Sequence, residues 1–168
     1  MVYQPKFYYQ RLPITTVNLS KGKVIRHETL ILSDVPKEGF KLAPIFKSGN
    51  NELEYVLFSA YEGSLVNDKL TSIAGTKPIS NTNIVQMESA ANARGTGWHI
   101  ENMAAVSANQ MLEIVEFGMM NGQQAIEKGI CQISGSNEVN CSSLTGSTAG
   151  LGNTTGHATQ TINDINGT

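Results

Sequence analysis

Ser107-Ala108-Asn109-Gln110-Met111-Leu112-Glu113-Ile114-Val115-Glu116-Phe117-Gly118 is the stretch whose reading decides the fold class. Ala108, Met111, Leu112, Val115 and Met119 recur at a spacing of about 3.6, with Glu113 and Glu116 off that stripe, as in a helix with one face on a core. Ser107 is placed to cap the helix, with Gln110 completing a capping box. Asn121-Gly122 supplies the left-handed stop. Upstream, Val85 to Arg94 also predicts a helix. It ends at Gly95, with Arg94 in the last turn, where the helix dipole favours a cation. Gln123 to Lys128 predicts a further short helical turn, ended by Gly129.

Working outward, the first third of the chain reads as strand. Lys6-Phe7-Tyr8-Tyr9-Gln10-Arg11-Leu12 is aromatic-rich and stops at Pro13. Val24 to Leu32 alternates with Val24, Arg26, Glu28, Leu30 and Leu32 on one side, and neither side is cleanly apolar. The turn residues Ser20-Lys21-Gly22-Lys23 before it predict a hairpin. Asp34-Val35-Pro36-Lys37-Glu38-Gly39 predicts a turn, after which Phe40, Leu42, Ile45 and Phe46 pin the chain to the core. Glu54-Tyr55-Val56-Leu57-Phe58-Ser59-Ala60-Tyr61-Glu62 is nearly continuous in apolar residues and predicts a strand buried on both faces. Residues 63–83 read as polar loop, with Pro78 as a breaker. Strands followed by helices give an α+β domain over residues 1–133. About two thirds of residues 134–168 are Gly, Ser, Thr or Asn, too polar to offset ordering entropy unaided, which predicts a loop or tail there.

Composition narrows the function classes. The 168 residues suit one domain, with 15% charged residues and a net charge of -2. Nucleic-acid binding needs a clustered basic face, and none is written here. There is no apolar run of membrane-spanning length. Met1-Val2-Tyr3-Gln4-Pro5-Lys6 lacks the basic and apolar segments of a signal peptide. Low charge with abundant Gly, Ser, Thr and Asn fits extracellular and virion proteins.

Candidate chemistry is sparse. Cys131 and Cys141 read either as two free thiols or as a disulfide adding ~2–3 kcal/mol. Neither forms a metal spacing with His27, His99 or His157. Gly95-Thr96-Gly97 lacks the Lys-Ser/Thr partner of a phosphate loop. Asp34, Glu38, Asp68 and Asp164 do not make a calcium loop, and Glu113 and Glu116 fit a solvated helix face. Met111, Met119 and Met120 read as core filler. Asn18, Asn140, Asn153 and Asn166 open glycosylation sequons that chance explains in so polar a chain. Trp98, the single Trp, is read two ways. It is an apolar anchor with one donor, or a ring on which a sugar stacks. His99 beside it completes the candidate ligand-binding pair. No nucleophile and base share a recognisable spacing, so the expectation is a binding protein, with no enzyme activity, cofactor or metal.

Ala93-Arg94-Gly95-Thr96-Gly97-Trp98-His99-Ile100-Glu101-Asn102, running through Ser107–Gly118 to Asn121-Gly122-Gln123, resembles a segment of tail-associated proteins of phages and prophages of gut bacteria. Pro5-Lys6-Phe7-Tyr8-Tyr9 and Ser33-Asp34-Val35-Pro36-Lys37-Glu38-Gly39-Phe40 resemble the same family. These proteins carry a C-type-lectin-like fold of the formylglycine-generating-enzyme (sulfatase-modifying factor) type. There a helix reading roughly Leu-Pro-Thr-Glu-Ala-Glu-Trp-Glu-Tyr-Ala takes the place of Val106 to Val115. The likeness covers roughly residues 3–130.

It implies a virion surface domain, such as a tail-fibre or receptor-binding domain, that recognises a host cell-surface glycan or protein. Several members are targets of diversity-generating retroelements. Such domains sit on trimeric or otherwise repeated stalks, where weak sites gain by avidity. The alternative is a structural virion protein, a capsid decoration or baseplate component in contact with other virion proteins. The enzyme branch carries its cysteine pair later and in another context than Cys131 and Cys141, so no catalytic residue is carried over. The superfamily's closing Trp- and Gly-rich strands have no counterpart up to Thr168, so the resemblance implies either a domain truncated at its C-terminal side or a sheet completed by another chain.

Overall fold

A computed structural model of the chain describes residues 1–12, 15–18, 24–27, 29–122 and 144–146, with 15–18 and 24–27 described as backbone. The chain is α+β. Its strands are β1 (Val2–Pro5), β2 (Tyr8–Arg11), β3 (Thr15–Asn18), β4 (Val24–His27), β5 (Leu30–Ser33), β6 (Lys41–Leu42), β7 (Lys47–Ser48), β8 (Asn51–Glu52), β9 (Tyr55–Phe58), β10 (Ser64–Val66) and β11 (Lys69–Thr71). The helices are α1 (Ile84–Asn92) and α2 (Met103–Phe117), with a 3-10 turn at Pro44–Phe46. Two compact units emerge. A core unit comprises Tyr3–Leu57 and Glu101–Lys128. A hairpin unit comprises Met1–Val2, Phe58–Ile100 and Gly129–Thr168.

In the core unit, β2 is the middle strand of the antiparallel sheet β5-β2-β6, with Tyr9 opposite Leu32 on one side and Lys41 on the other. Phe7, just before β2, meets Phe46 edge-to-face at 5.4 Å between ring centres. Ala43, Ala108 and Met111 close the same cluster, and Leu30, Leu32, Leu42, Ile45 and Leu112 pack against it. Phe46 is fully buried, as the apolar loop after the 34–39 turn predicts. The inward side of the ambiguous 24–32 run is settled within β5: Leu30 and Leu32 face the core, and Ile31 is exposed. That run is two strands. β4 pairs antiparallel with β3, so the predicted hairpin is present, and β5 pairs with β2. The predicted turn residues Ser20-Lys21-Gly22-Lys23 lie outside the described residues.

Three expectations are corrected. The run 54–62 yields only the four-residue β9, whose partner is β1, and Tyr55 and Leu57 are exposed. Val56 turns to the core while its neighbours do not; a two-stranded ribbon cannot bury both faces. The 63–83 loop contains a hairpin, β10–β11, turning on Asn67 (φ 49°) and Asp68 (φ 58°). Asn and Asp tolerate these left-handed angles, which match the twist of paired strands.

The third correction concerns α2, which begins a turn before Ser107. Asn102 caps it by accepting the Ala104 and Ala105 amides, each at 3.0 Å, and Ser107 lies inside the helix. The stop is Gly118 (φ 65°), whose N–H reaches Ile114 O at 2.9 Å, ahead of Asn121-Gly122. Glycine takes this left-handed angle without the Cβ clash any other residue meets. Val115 and Met119, predicted on the core stripe, are therefore left exposed at and beyond the helix end. The 123–129 turn lies outside the described residues.

Candidate functional site

The candidate pair Trp98 and His99 sits in the hairpin unit, after α1. Asn83 caps α1 with a reciprocal capping box, accepting the Gln86 amide at 2.9 Å while the Gln86 side chain accepts the Asn83 amide at 3.2 Å. Ala90 and Ala91 are its buried face, and the helix packs on β11. The helix ends at Asn92, so Arg94 lies just past the last turn where sequence placed it. The chain then reverses through Gly95 (φ 130°) and Gly97 (φ 85°), and the Trp98 amide returns to Gly95 O at 3.3 Å.

This reversal brings the Arg94 guanidinium to 4.1 Å from the centre of the Trp98 ring. The attraction of a cation for the negative ring face holds that arrangement. Arg94 is also tied to the sheet, donating from Nη1 to the Leu70 carbonyl of β11 at 3.0 Å. Trp98 keeps 39% of its surface exposed. That is high for the chain's largest apolar side chain, and it argues against the core-anchor reading. His99 is exposed, with Nδ1 at 2.8 Å from the Ile100 carbonyl. A carbonyl only accepts, so Nδ1 is the donor in this contact. The Ile100 amide donates to Glu88 Oε2 at 3.1 Å, which fastens the turn to α1.

The result is an indole under a guanidinium on a braced turn, with an exposed His99 next in the chain. It can stack on an apolar face and hydrogen-bond to polar edges. Sequence reading found Trp98 and His99 but gave Arg94 to the helix dipole. The signal that would have found it is the spacing Arg-Gly-x-Gly-Trp, in which two glycines fold a cation back over a ring. On α1, Ile84 and Val85 are 69% and 73% exposed and line a shallow depression with Glu88, Ser89 and Asn92.

In the core unit the Lys6 ammonium bonds Glu54 Oε1 at 2.8 Å and lies 3.6 Å from Glu52. The hydrogen bond to Glu54 holds the Lys6 pKa above its ordinary value, against a smaller opposing effect of burial. Among the described residues no group of three or more His, Cys, Asp or Glu side chains gathers to hold a metal, and no helix is long and apolar enough to cross a membrane. Cys131, Cys141 and His157 lie outside the described residues, and His27 is described as backbone on β4. No protein-family model matches the chain, and no curated protein matches it.

Proposed function

We propose that the chain belongs to a phage virion surface protein, that residues 3–130 form part of a C-type-lectin-like domain, and that it recognises a host cell-surface glycan or protein. The supporting order of elements is strands first, then two helices, as in the likeness of residues 3–130 to phage tail proteins. The observation that carries the binding reading is the Arg94–Trp98 platform: an exposed indole, held by a cation at 4.1 Å beside an exposed His99. Fixed aromatic faces with polar neighbours suit ligand recognition, because little side-chain entropy is lost on binding. Catalysis is no part of this reading, and binding to cells rests on many weak copies rather than one strong site. Binding of the protein to arrayed glycans and to intact gut bacteria tests it. Binding that Trp98→Ala abolishes supports the reading, and a protein that binds no envelope material contradicts it.

A structural role in the particle is the second reading. The exposed Ile84 and Val85 on α1, and the exposed Tyr3–Tyr55 pair at 5.0 Å on β1 and β9, favour it as surfaces to be covered by other virion proteins. Under that reading Ile84→Asp blocks incorporation into particles while leaving cell binding by the isolated protein unchanged.

A further inference from the structure

The hairpin unit contains a tripeptide from the polar end of the chain, Leu144-Thr145-Gly146, seated on the Ile73–Thr76 turn that follows β11. The Gly75 amide donates to Thr145 O at 2.7 Å and the Thr145 amide to Thr76 O at 2.8 Å. The Thr145 hydroxyl is buried at the centre of this contact. It accepts the Thr76 amide at 3.2 Å and donates its single proton to the Ile73 carbonyl at 2.6 Å, with the Thr76 carbonyl 3.0 Å away as the alternative acceptor. Gly146 (φ 73°) lies so close to the turn that a Cβ there would meet Ala74 Cα at 2.9 Å. The contact is selective for a hydroxyl at 145 and for glycine at 146.

The hydroxyls continue inward. Thr76 Oγ1 is 2.7 Å from the buried Ser64 Oγ on β10. Thr71 Oγ1 donates to Ser64 O at 3.0 Å. Ser72 Oγ accepts the Tyr61 amide at 2.9 Å and donates to Tyr61 O at 3.1 Å. These bonds bracket β11, whose Leu70 carbonyl holds Arg94 against Trp98. Two residues, Thr71 and Ser72, separate that carbonyl from the turn under Thr145.

We propose that Leu144-Thr145-Gly146 is a strap and that Thr145 is a positioning residue for the Arg94–Trp98 platform, acting through the 73–76 turn and β11. The strap fixes the turn, the turn fixes β11, and β11 fixes the guanidinium over the indole.

Hydrogen exchange and the emission of the single Trp test it on the full chain. Thr145→Val removes the acceptor of the Thr76 amide, so exchange at Gly75 and Thr76 rises about tenfold, the loss expected of one or two local hydrogen bonds. Trp98 emission becomes more accessible to acrylamide in the same variant. Thr145→Ser restores both, because it keeps the hydroxyl. Gly146→Ala unseats the strap without touching a hydroxyl and reproduces the effect of Thr145→Val. α1 amides that keep their protection show that the unit is still folded. Unchanged exchange at Thr76 in both Thr145→Val and Gly146→Ala overturns the strap. Increased exchange with unchanged Trp98 quenching overturns the positioning role.

Discussion

Around Phe46 order comes from shape, with two aromatic rings, two alanines and a methionine closing on one another behind the β5-β2-β6 sheet. Around Thr76 order comes from satisfied polar groups, with Ser64, Thr71, Ser72, Thr76 and Thr145 bonding to one another and to nearby carbonyls. A buried hydroxyl costs about 1–3 kcal/mol when its partner is missing. A polar cluster is therefore specific only while it is complete. The core unit tolerates imprecise contacts as long as volume is kept, whereas the hairpin unit depends on individual hydroxyls. The candidate platform is built on the second kind of support.

That contrast is broken most forcefully at its apolar pole. Phe46→Ala removes the fully buried ring and is expected to cost about 3–5 kcal/mol in urea unfolding. A cost near zero would mean that the Phe7–Phe46 contact is not a core. Ala108→Leu overfills the same cluster and is expected to cost about 1–3 kcal/mol, read from the thermal midpoint. Next come the helix caps, one per unit. Asn102→Ala and Asn83→Ala each leave amides without their acceptor and are expected to cost about 1 kcal/mol. Equal losses would show that capping is indifferent to the kind of core each helix packs on. Asp68→Gly sharpens the contrast with a smaller effect. Asp meets little of the Cβ penalty there and glycine costs ~0.5–1 kcal/mol of entropy, so the exchange is expected to change the stability of β10–β11 by no more than about 0.5 kcal/mol.

The smallest effect is electrostatic. Lys6 bonds Glu54 at the surface, and its folded pKa is raised. Its contribution is therefore fully present below the unfolded lysine pKa and fades as pH rises through the folded value. Stability measured from pH 6 to 8 is expected to be the same in Lys6→Met as in the parent, apart from a constant small offset, because surface pairs are screened.

The sequence made the helices and the apolar core legible because their signals are local. Periodicity put Ala108 and Met111 on one face, and Phe46 followed a turn rich in breakers. Helix ends were less legible. Asn102 competes with Ser107 as a cap, and its advantage is the extra turn from Met103 to Val106, which periodicity does not rank. Tyr55 and Leu57 were misread because burial of a strand depends on how many neighbours it has, which a single apolar run does not state. The β10–β11 hairpin is legible in Asn67-Asp68, a turn pair between Leu65-Val66 and Leu70. Trp98 and His99 stood out by type. Arg94 did not, because its role arises from a chain reversal at Gly95 and Gly97. Nothing local marks Thr145, whose partners are 69 and 72 residues away.

Trp98 emission reports directly on whether the exposed indole held under Arg94 is a recognition surface, because the chain has no other tryptophan. The protein is titrated with solubilised envelope polysaccharide and envelope protein from gut bacteria. A saturable change in Trp98 emission is expected with at least one of these, weakened by Arg94→Gln and absent from a Trp98→Phe control. A protein that binds such material with Trp98 emission unchanged, and equally well as Trp98→Ala, contradicts it.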